Sequence, residues 1–333
     1  MDHGRDGQFG KVSPSADGLY ACKGGEAVIY TVTLNPSIDY FLEVEHFTEG
    51  KTNRASSQRL LPGGKGINVS KVLHAFGHRT ELFGFTAGFT GAYLEDTLQG
   101  EGLHTNFLHV EGMTRINVKL KTETETEING QAPAITEADV KKLEQQIDEL
   151  TKDDTLVLSG SLPSTVQDDT YYRLAAEARS RGIRTVIDTS GTPLKKALDA
   201  EPFLIKPNIA ELEALYGEKA AGKNDVLELA SRAVAGGAHY VLVSRGADPA
   251  LLVSRDGFTE AAVPKGEVRN SVGAGDSMVA GFLYRLEENG SIEDAFRTSV
   301  AFGSATTFST GFATRSLVEK LEAEIDLLKG ELT

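Results

Sequence analysis

The sequence predicts an α/β fold: a central, mostly parallel sheet with helices on both faces, plus a small β-sheet lid. Three observations carry this expectation. Short β-branched runs alternate with helical patterns from Val28 onward, and strands joined through helices need crossovers, which make a sheet parallel. The 35 glycines fall in clusters, many just after such a run, where a backbone without Cβ can turn sharply and approach a ligand. Two stretches, 37–62 and 106–130, hold strand-like segments with no helix between them, as a separate small sheet requires.

Residues 1–27 are rich in Gly, Asp and Ser and show neither period. They lack the apolar run of a secretory signal and are expected to form a disordered leader outside the fold, which then occupies 28–333. Strands are predicted at 29–34, 82–85, 156–159, 185–188, 204–205 and 240–244. The first predicted helix, 67–76, follows Gly63-Gly64-Lys65-Gly66 and stops at Gly77. In 136–150, Thr136 and Asp139 make a capping box while Val140, Leu143, Ile147 and Leu150 recur at helical spacing. Further helices are expected at 169–181, 209–216, 225–235 and 276–286.

Within the second lid stretch, 115–121 alternates strictly. As a strand it puts Arg115, Asn117, Lys119 and Lys121 on one face and Ile116, Val118 and Leu120 on the other. The basic face is either an anion site or a solvated sheet face. The following Thr/Glu alternation over 122–127 reads as a charged edge that discourages aggregation.

Charge sharpens the point. With 34 Lys+Arg against 48 Asp+Glu in 333 residues, the chain carries −14. It therefore has no broad basic face for nucleic acid or an anionic membrane, and positive charge for a phosphorylated ligand must be local. No apolar run approaches the roughly 18 residues of a membrane span. The single Cys22 excludes an intramolecular disulfide and a cysteine-rich metal site. A cytoplasmic protein is expected.

Chemistry concentrates at 270–278, Asn-Ser-Val-Gly-Ala-Gly-Asp-Ser-Met, ahead of an apolar helix. Glycines at a helix start expose amides toward an anion, and the helix dipole favours negative charge there. Asp276 at that mouth either caps the helix or takes a proton from a hydroxyl attacking a bound phosphoryl group. Met278 stands where a dinucleotide fingerprint needs its third glycine. Gly63-Gly64-Lys65-Gly66 is no P-loop, since no Ser or Thr follows Lys65. It reads as a tight turn or a second backbone nest, with Asn68 pointing from the first helical turn.

Five segments, in order and spacing, resemble the PfkB (ribokinase-like) sugar kinases: Thr33-Leu34-Asn35-Pro36-Ser37-Ile38-Asp39, Pro62-Gly63-Gly64-Lys65-Gly66-Ile67-Asn68-Val69, Ser159-Gly160-Ser161-Leu162-Pro163, Ile205-Lys206-Pro207-Asn208-Ile209-Ala210-Glu211-Leu212 and Val272-Gly273-Ala274-Gly275-Asp276-Ser277. The resemblance runs from about Val28 to the C-terminus and implies a ribokinase-like kinase domain. Within the family, 114–119 and 126–130 look most like members that use ATP to phosphorylate O6 of D-fructose 1-phosphate. Tagatose-6-phosphate kinases are the near alternative, and a catalytically silent sugar-phosphate sensor is a third.

The resemblance also implies roles. Asp276 matches the catalytic base, and the amides of Gly273, Ala274, Gly275 and Asp276 match the anion hole. Asp39 matches a carboxylate on sugar hydroxyls, helped by Gly63, Gly64, Lys65 and Asn68. Arg115 matches a residue on the substrate phosphate, with Asn117 beside it and Lys51 and Arg54 assisting. Lys206, Asn208 and Glu211 match the motif that organises Mg²⁺, through water, and the nucleotide phosphates. Ser244, Arg245, Gly246, Ala247 and Asp248 match the loop beside ATP. Arg245 and Pro249 depart from the usual leucine and glycine of that loop, and Ala132 from a usual glycine. A homodimer through packed lids is implied as well.

Overall fold

The computed structural model describes residues 27–289 and 291–332, so the expected leader lies, but for Ala27, outside the described residues. The chain enters β1 (Ile29–Thr33), leaves the body for a lid hairpin of β2 (Ser37–Glu43) and β3 (Ser57–Gly63), and returns through α1 (Lys65–Ala75) to β4 (Thr80–Ala87). Next come α2 (Gly88–Gly100), the short β5 (His104–Thr105) and β6 (Leu108–Val110), and a second lid hairpin, β7 (Arg115–Lys121) and β8 (Glu125–Asn129). The alternation resumes with α3 (Glu137–Ile147), β9 (Thr155–Ser159), α4 (Thr170–Ser180), β10 (Arg184–Asp188), α5 (Gly191–Ala197), β11 (Leu204–Ile205), α6 (Ile209–Tyr216), α7 (Lys223–Ala235) and β12 (Tyr240–Val243). β13 (Ala250–Ser254), β14 (Gly257–Ala261), α8 (Ala274–Asn289), α9 (Ile292–Thr307), α10 (Arg315–Glu322) and β15 (Leu327–Gly330) complete it.

The large sheet has the order β15-β14-β13-β12-β11-β10-β9-β1-β4-β5, with β6 beside the far end of β4. From β4 through β12 the pairings are parallel, while β12, β13, β14 and β15 pair antiparallel. The sequence expectation lacked this antiparallel edge. Its signal was the turn Arg255-Asp256 ahead of Gly257, which connects β13 and β14 in register Ser254 with Gly257.

Each sheet face carries its own core. One joins strand residues to α3, α4, α6 and α7. The other joins them to α1, α8, α9 and α10. Thr136 and Asp139 form the expected reciprocal capping box at the start of α3. Helices α2, α5, α9 and α10 were not foreseen. In α9 nearly every residue from Ala295 to Thr306 is buried, so no polar face marks the helical period.

A four-stranded lid, ordered β3-β2-β7-β8, projects from the body. β2 pairs antiparallel with β3 and parallel with β7. The second lid stretch is shorter than expected: β6 is parallel to β4, and Leu108 and Val110 pack on the body's core. The lid therefore resumes at Arg115. At its base, Ile38 and Ile116 meet Ile67 and Leu82.

Candidate active site

The carboxyl ends of β1, β9, β10 and β11 converge on the N-termini of α1, α6 and α8, the crevice where open α/β sheets bind ligands. α1 begins at Lys65, directly after Gly64, whose φ of 138° lies in the region reserved for glycine. α8 begins after Gly273, with φ of 78°. Its first amides have no acceptor within the helix, an arrangement that favours an anion at this end.

Asp276 sits in that first turn and is 6% exposed. Its Oδ2 accepts from Asn68 Nδ2 at 2.8 Å, and among the described residues it accepts no amide of its own helix. The capping alternative therefore finds no support. Burial, reinforced by the nearby Asp188 charge, raises its pKa from 3.8 to about 6, although Asn68, Lys206 and Lys65 pull the other way. A carboxylate so tuned is ionised at neutral pH yet basic enough to take a proton.

Asp188, at the end of β10, escaped the sequence analysis. Its side chain is fully buried between two lysines, Lys65 Nζ at 3.1 Å and Lys206 Nζ at 3.6 Å. Its Oδ2 has no partner. An acidic residue closing the apolar run Thr-Val-Ile-Asp at the ligand end of a buried strand was the available signal. Lys65, expected on the sugar side, makes its contact with Asp188 from a side chain that is 36% exposed, with Glu211 Oε1 a further 3.7 Å contact. Burial alone would lower its pKa; Asp188, Glu211 and Asp276 outweigh that and raise it. Lys206 is 5% exposed, and a Cβ on Gly275 would lie 2.9 Å from its Nζ. The glycine thus lets this ammonium reach the α8 N-terminus.

On the lid, the register sets Asp39 beside Asn117 and Ser37 beside Arg115. Ser37 Oγ and Asn117 Nδ2 both donate to Asp39 Oδ1, at 2.9 and 3.1 Å. Gly63 leaves room for that carboxylate, since a Cβ there would fall 2.5 Å from Asp39 Oδ2. Arg115 Nη2 donates to the Asn35 carbonyl at 3.0 Å, while its buried Nε has no acceptor. Burial lowers the Arg115 pKa, opposed by Asp39. Lys51 and Arg54 stand on the loop between β2 and β3, both exposed, and neither lines the cleft.

Asn208 caps α6: its Oδ1 accepts from the Glu211 amide and Glu211 Oε2 accepts from the Asn208 amide. A β-bridge holds Asn208 beside Ser244, so the 206–211 and 244–248 segments share one edge of the crevice. The two unusual residues of the second segment meet each other, since Arg245 Nη1 donates to the Pro249 carbonyl at 3.0 Å. Arg245 thereby braces the loop that Pro249 ends, and Gly246, with φ of 65°, makes its turn. Among the described residues no three His, Cys, Asp or Glu side chains gather as a metal site. A cleft of about 600 Å³ runs from Asp39 and Asn68 outward between the lid and residues 268–272 and 310–312.

The pattern of the pfkB family carbohydrate kinases matches residues 32–319. The chain is 45% identical to the 1-phosphofructokinase of Bacillus subtilis over 302 residues, 91% of this chain and 100% of that one. It is 35% identical to the D-tagatose-1-phosphate kinase of Bacillus licheniformis, across 90% of this chain and 99% of that one. The tetrameric inhibited form of phosphofructokinase-2 from Escherichia coli superposes with a TM-score of 0.83 at 32% identity, covering 90% of this chain and 99% of that one.

Proposed function

The chain belongs to the pfkB family of carbohydrate kinases, and from that membership we propose that it is a 1-phosphofructokinase, transferring the γ-phosphoryl group of ATP to O6 of D-fructose 1-phosphate. The observation that carries the chemistry is the buried Asp276, hydrogen-bonded to Asn68 on the sugar side and set in the first turn of α8 on the phosphoryl side. As O6 attacks, its proton passes to the Asp276 carboxylate, the new O6–P bond forms, and the bond from γ-phosphorus to the bridging oxygen breaks to release ADP. The α8 amides stabilise charge on the transferring group, and Lys206 and Lys65 add positive charge beside it. Asp39, steered by Ser37 and Asn117, takes the sugar hydroxyls, and Arg115 takes the C1 phosphate.

We assign the nucleotide to the edge formed by Lys206, Asn208 and the 244–248 loop. Mg²⁺ fits here: Asp188 Oδ2 is buried without a partner, and Glu211 and Asn208 lie alongside to act through water. Such a carboxylate-poor site, completed by phosphate oxygens and water, suits this ion. Bound there, it supplies neutralisation of the phosphate charge.

The lid's outer face carries an apolar row across all four strands, Leu60, Tyr40, Val118 and Ile128 in register, with Leu60 40% and Ile128 59% exposed. A small sheet with such a face needs cover in water, and we assign that cover to the lid of a second copy in a homodimer. The acidic, disulfide-free chain fits the cytoplasm, where ATP and sugar phosphates are found.

Coupled ADP-release assays with fructose 1-phosphate, fructose 6-phosphate, tagatose 1-phosphate and tagatose 6-phosphate test the reading. Fructose 1-phosphate is expected to give the highest kcat/KM. A tagatose phosphate as best substrate would reassign the specificity, and no ADP release with any of them would remove the kinase assignment.

A further inference from the structure

Five cations line the cleft outside the reaction centre, and four of them have carboxylate partners. Lys71 lies 2.9 Å from Glu101, Lys119 2.6 Å from Glu127, Lys121 3.3 Å from Glu43 and Arg269 3.8 Å from Glu267. The fifth, Arg59 on β3, has no ion pair or hydrogen-bonded partner among the described residues. Its guanidinium lies over the Phe41 ring instead, 4.6 Å from the centroid.

The register explains where this places it. Phe41 pairs with Arg59 on one side and Lys119 on the other, so Arg59, Phe41 and Lys119 form a row on the cleft-facing side of the lid. That row lies one pleat repeat, roughly 7 Å, beyond the Asp39–Asn117 row. Across the cleft stand Asn270, Ser271 and Val272, the segment that leads into Gly273 and the α8 N-terminus. Stacking on an aromatic face holds a guanidinium without occupying its in-plane N–H donors. In a chain of net charge −14, with carboxylates close to the neighbouring cations, an unpaired planar donor fork facing the cleft is suited to a bidentate oxyanion.

Resting on the kinase reading above, we propose that Arg59, presented by Phe41, is a phosphate-binding residue of the lid. It closes over a phosphate group of one of the two substrates. The shared chemistry is a phosphate dianion or polyphosphate. The sources are the sugar phosphate, where Arg59 would be a second clamp besides Arg115, and the phosphate chain of ATP.

The test compares full-length wild type with Arg59→Ala, Arg59→Lys and Phe41→Leu. Wild-type turnover of fructose 1-phosphate is measured first; its absence would sink the functional reading and not the role of Arg59. KM for each substrate is then determined, with titration of each ligand alone into the same substitutions on an Asp276→Asn background. Arg59→Ala is expected to weaken one ligand at least fivefold in both measurements and the other less than twofold, with unchanged melting temperature. Arg59→Lys should recover part of the loss, and Phe41→Leu should weaken the same ligand by a smaller factor. The ligand affected identifies the source. Both affinities within twofold of wild type, or equal losses for both ligands with a lowered melting temperature, would overturn the proposal.

Discussion

Two buried carboxylates, Asp276 and Asp188, sit in different environments that allow opposite predictions. Asp276→Asn keeps the shape and removes the base, so kcat should fall by about 10²-fold or more while sugar-phosphate affinity stays within a few-fold. With its pKa raised to about 6, Asp276 in the proposed role of base acts only when ionised. The wild-type kcat should therefore rise with pH and level off above about 6, and a pH–rate profile checks this. Stability runs the other way. A folded pKa above the unfolded one contributes stability below pH ~4 that is lost as pH rises through ~6. Asp276→Asn removes that loss, so its melting temperature should match or exceed wild type at pH 8, with the difference closing toward pH 4. Asp188 is fully buried against Lys206, itself 5% exposed. Asp188→Asn should cost about 3–5 kcal/mol by stranding a buried cation, measured by denaturant unfolding. It should also move the acid limb below pH 6, since the Asp188 charge helps to raise the Asp276 pKa.

At the scale of elements, the hairpin of β2 and β3 works as a unit because Gly63, paired with Ser37, leaves room for the Asp39 carboxylate two residues further along β2. Gly63→Ala would push that carboxylate aside. KM for the sugar phosphate is expected to rise at least fivefold, with KM for ATP within twofold; an unchanged sugar KM would show that Asp39 does not hold the sugar. The α3 cap offers a contrast far from the cleft. Thr136→Ala should lower stability by about 1 kcal/mol and leave both KM values alone. The motif Asn208 to Glu211 combines the two roles. It caps α6 internally, and the same capping places Glu211 within reach of Lys65 at the crevice edge.

For the whole molecule, the lid has two faces with different obligations, one toward the cleft and one toward solvent or, in the proposed dimer, a second lid. Ile128 lies on β8 at the edge of the outward apolar row, well away from Asp39. Ile128→Glu should convert a dimer into a monomer at micromolar concentration, read by light scattering. If the lids brace each other, activity should fall with it. A wild type that is monomeric and fully active would defeat the assignment.

Much of this molecule was legible in the sequence because local rules set it. The βα alternation, the strict period of 115–121, the capping of α3 and the glycines before α1 and α8 each follow from backbone and side-chain preferences over a few residues. The resemblance then pointed to Asp276 and Asp39 by motif. What the tertiary structure decided were relations between distant segments. Asn68 meets Asp276 across 208 residues, and Lys65 pairs with Asp188, 123 residues on. The antiparallel edge, the burial of most of α9 and the lack of an ion-pair partner for Arg59 among the described residues likewise depend on what packs alongside. Such relations join segments far apart in the chain, and a local period shows which face is buried but not which distant segment covers it.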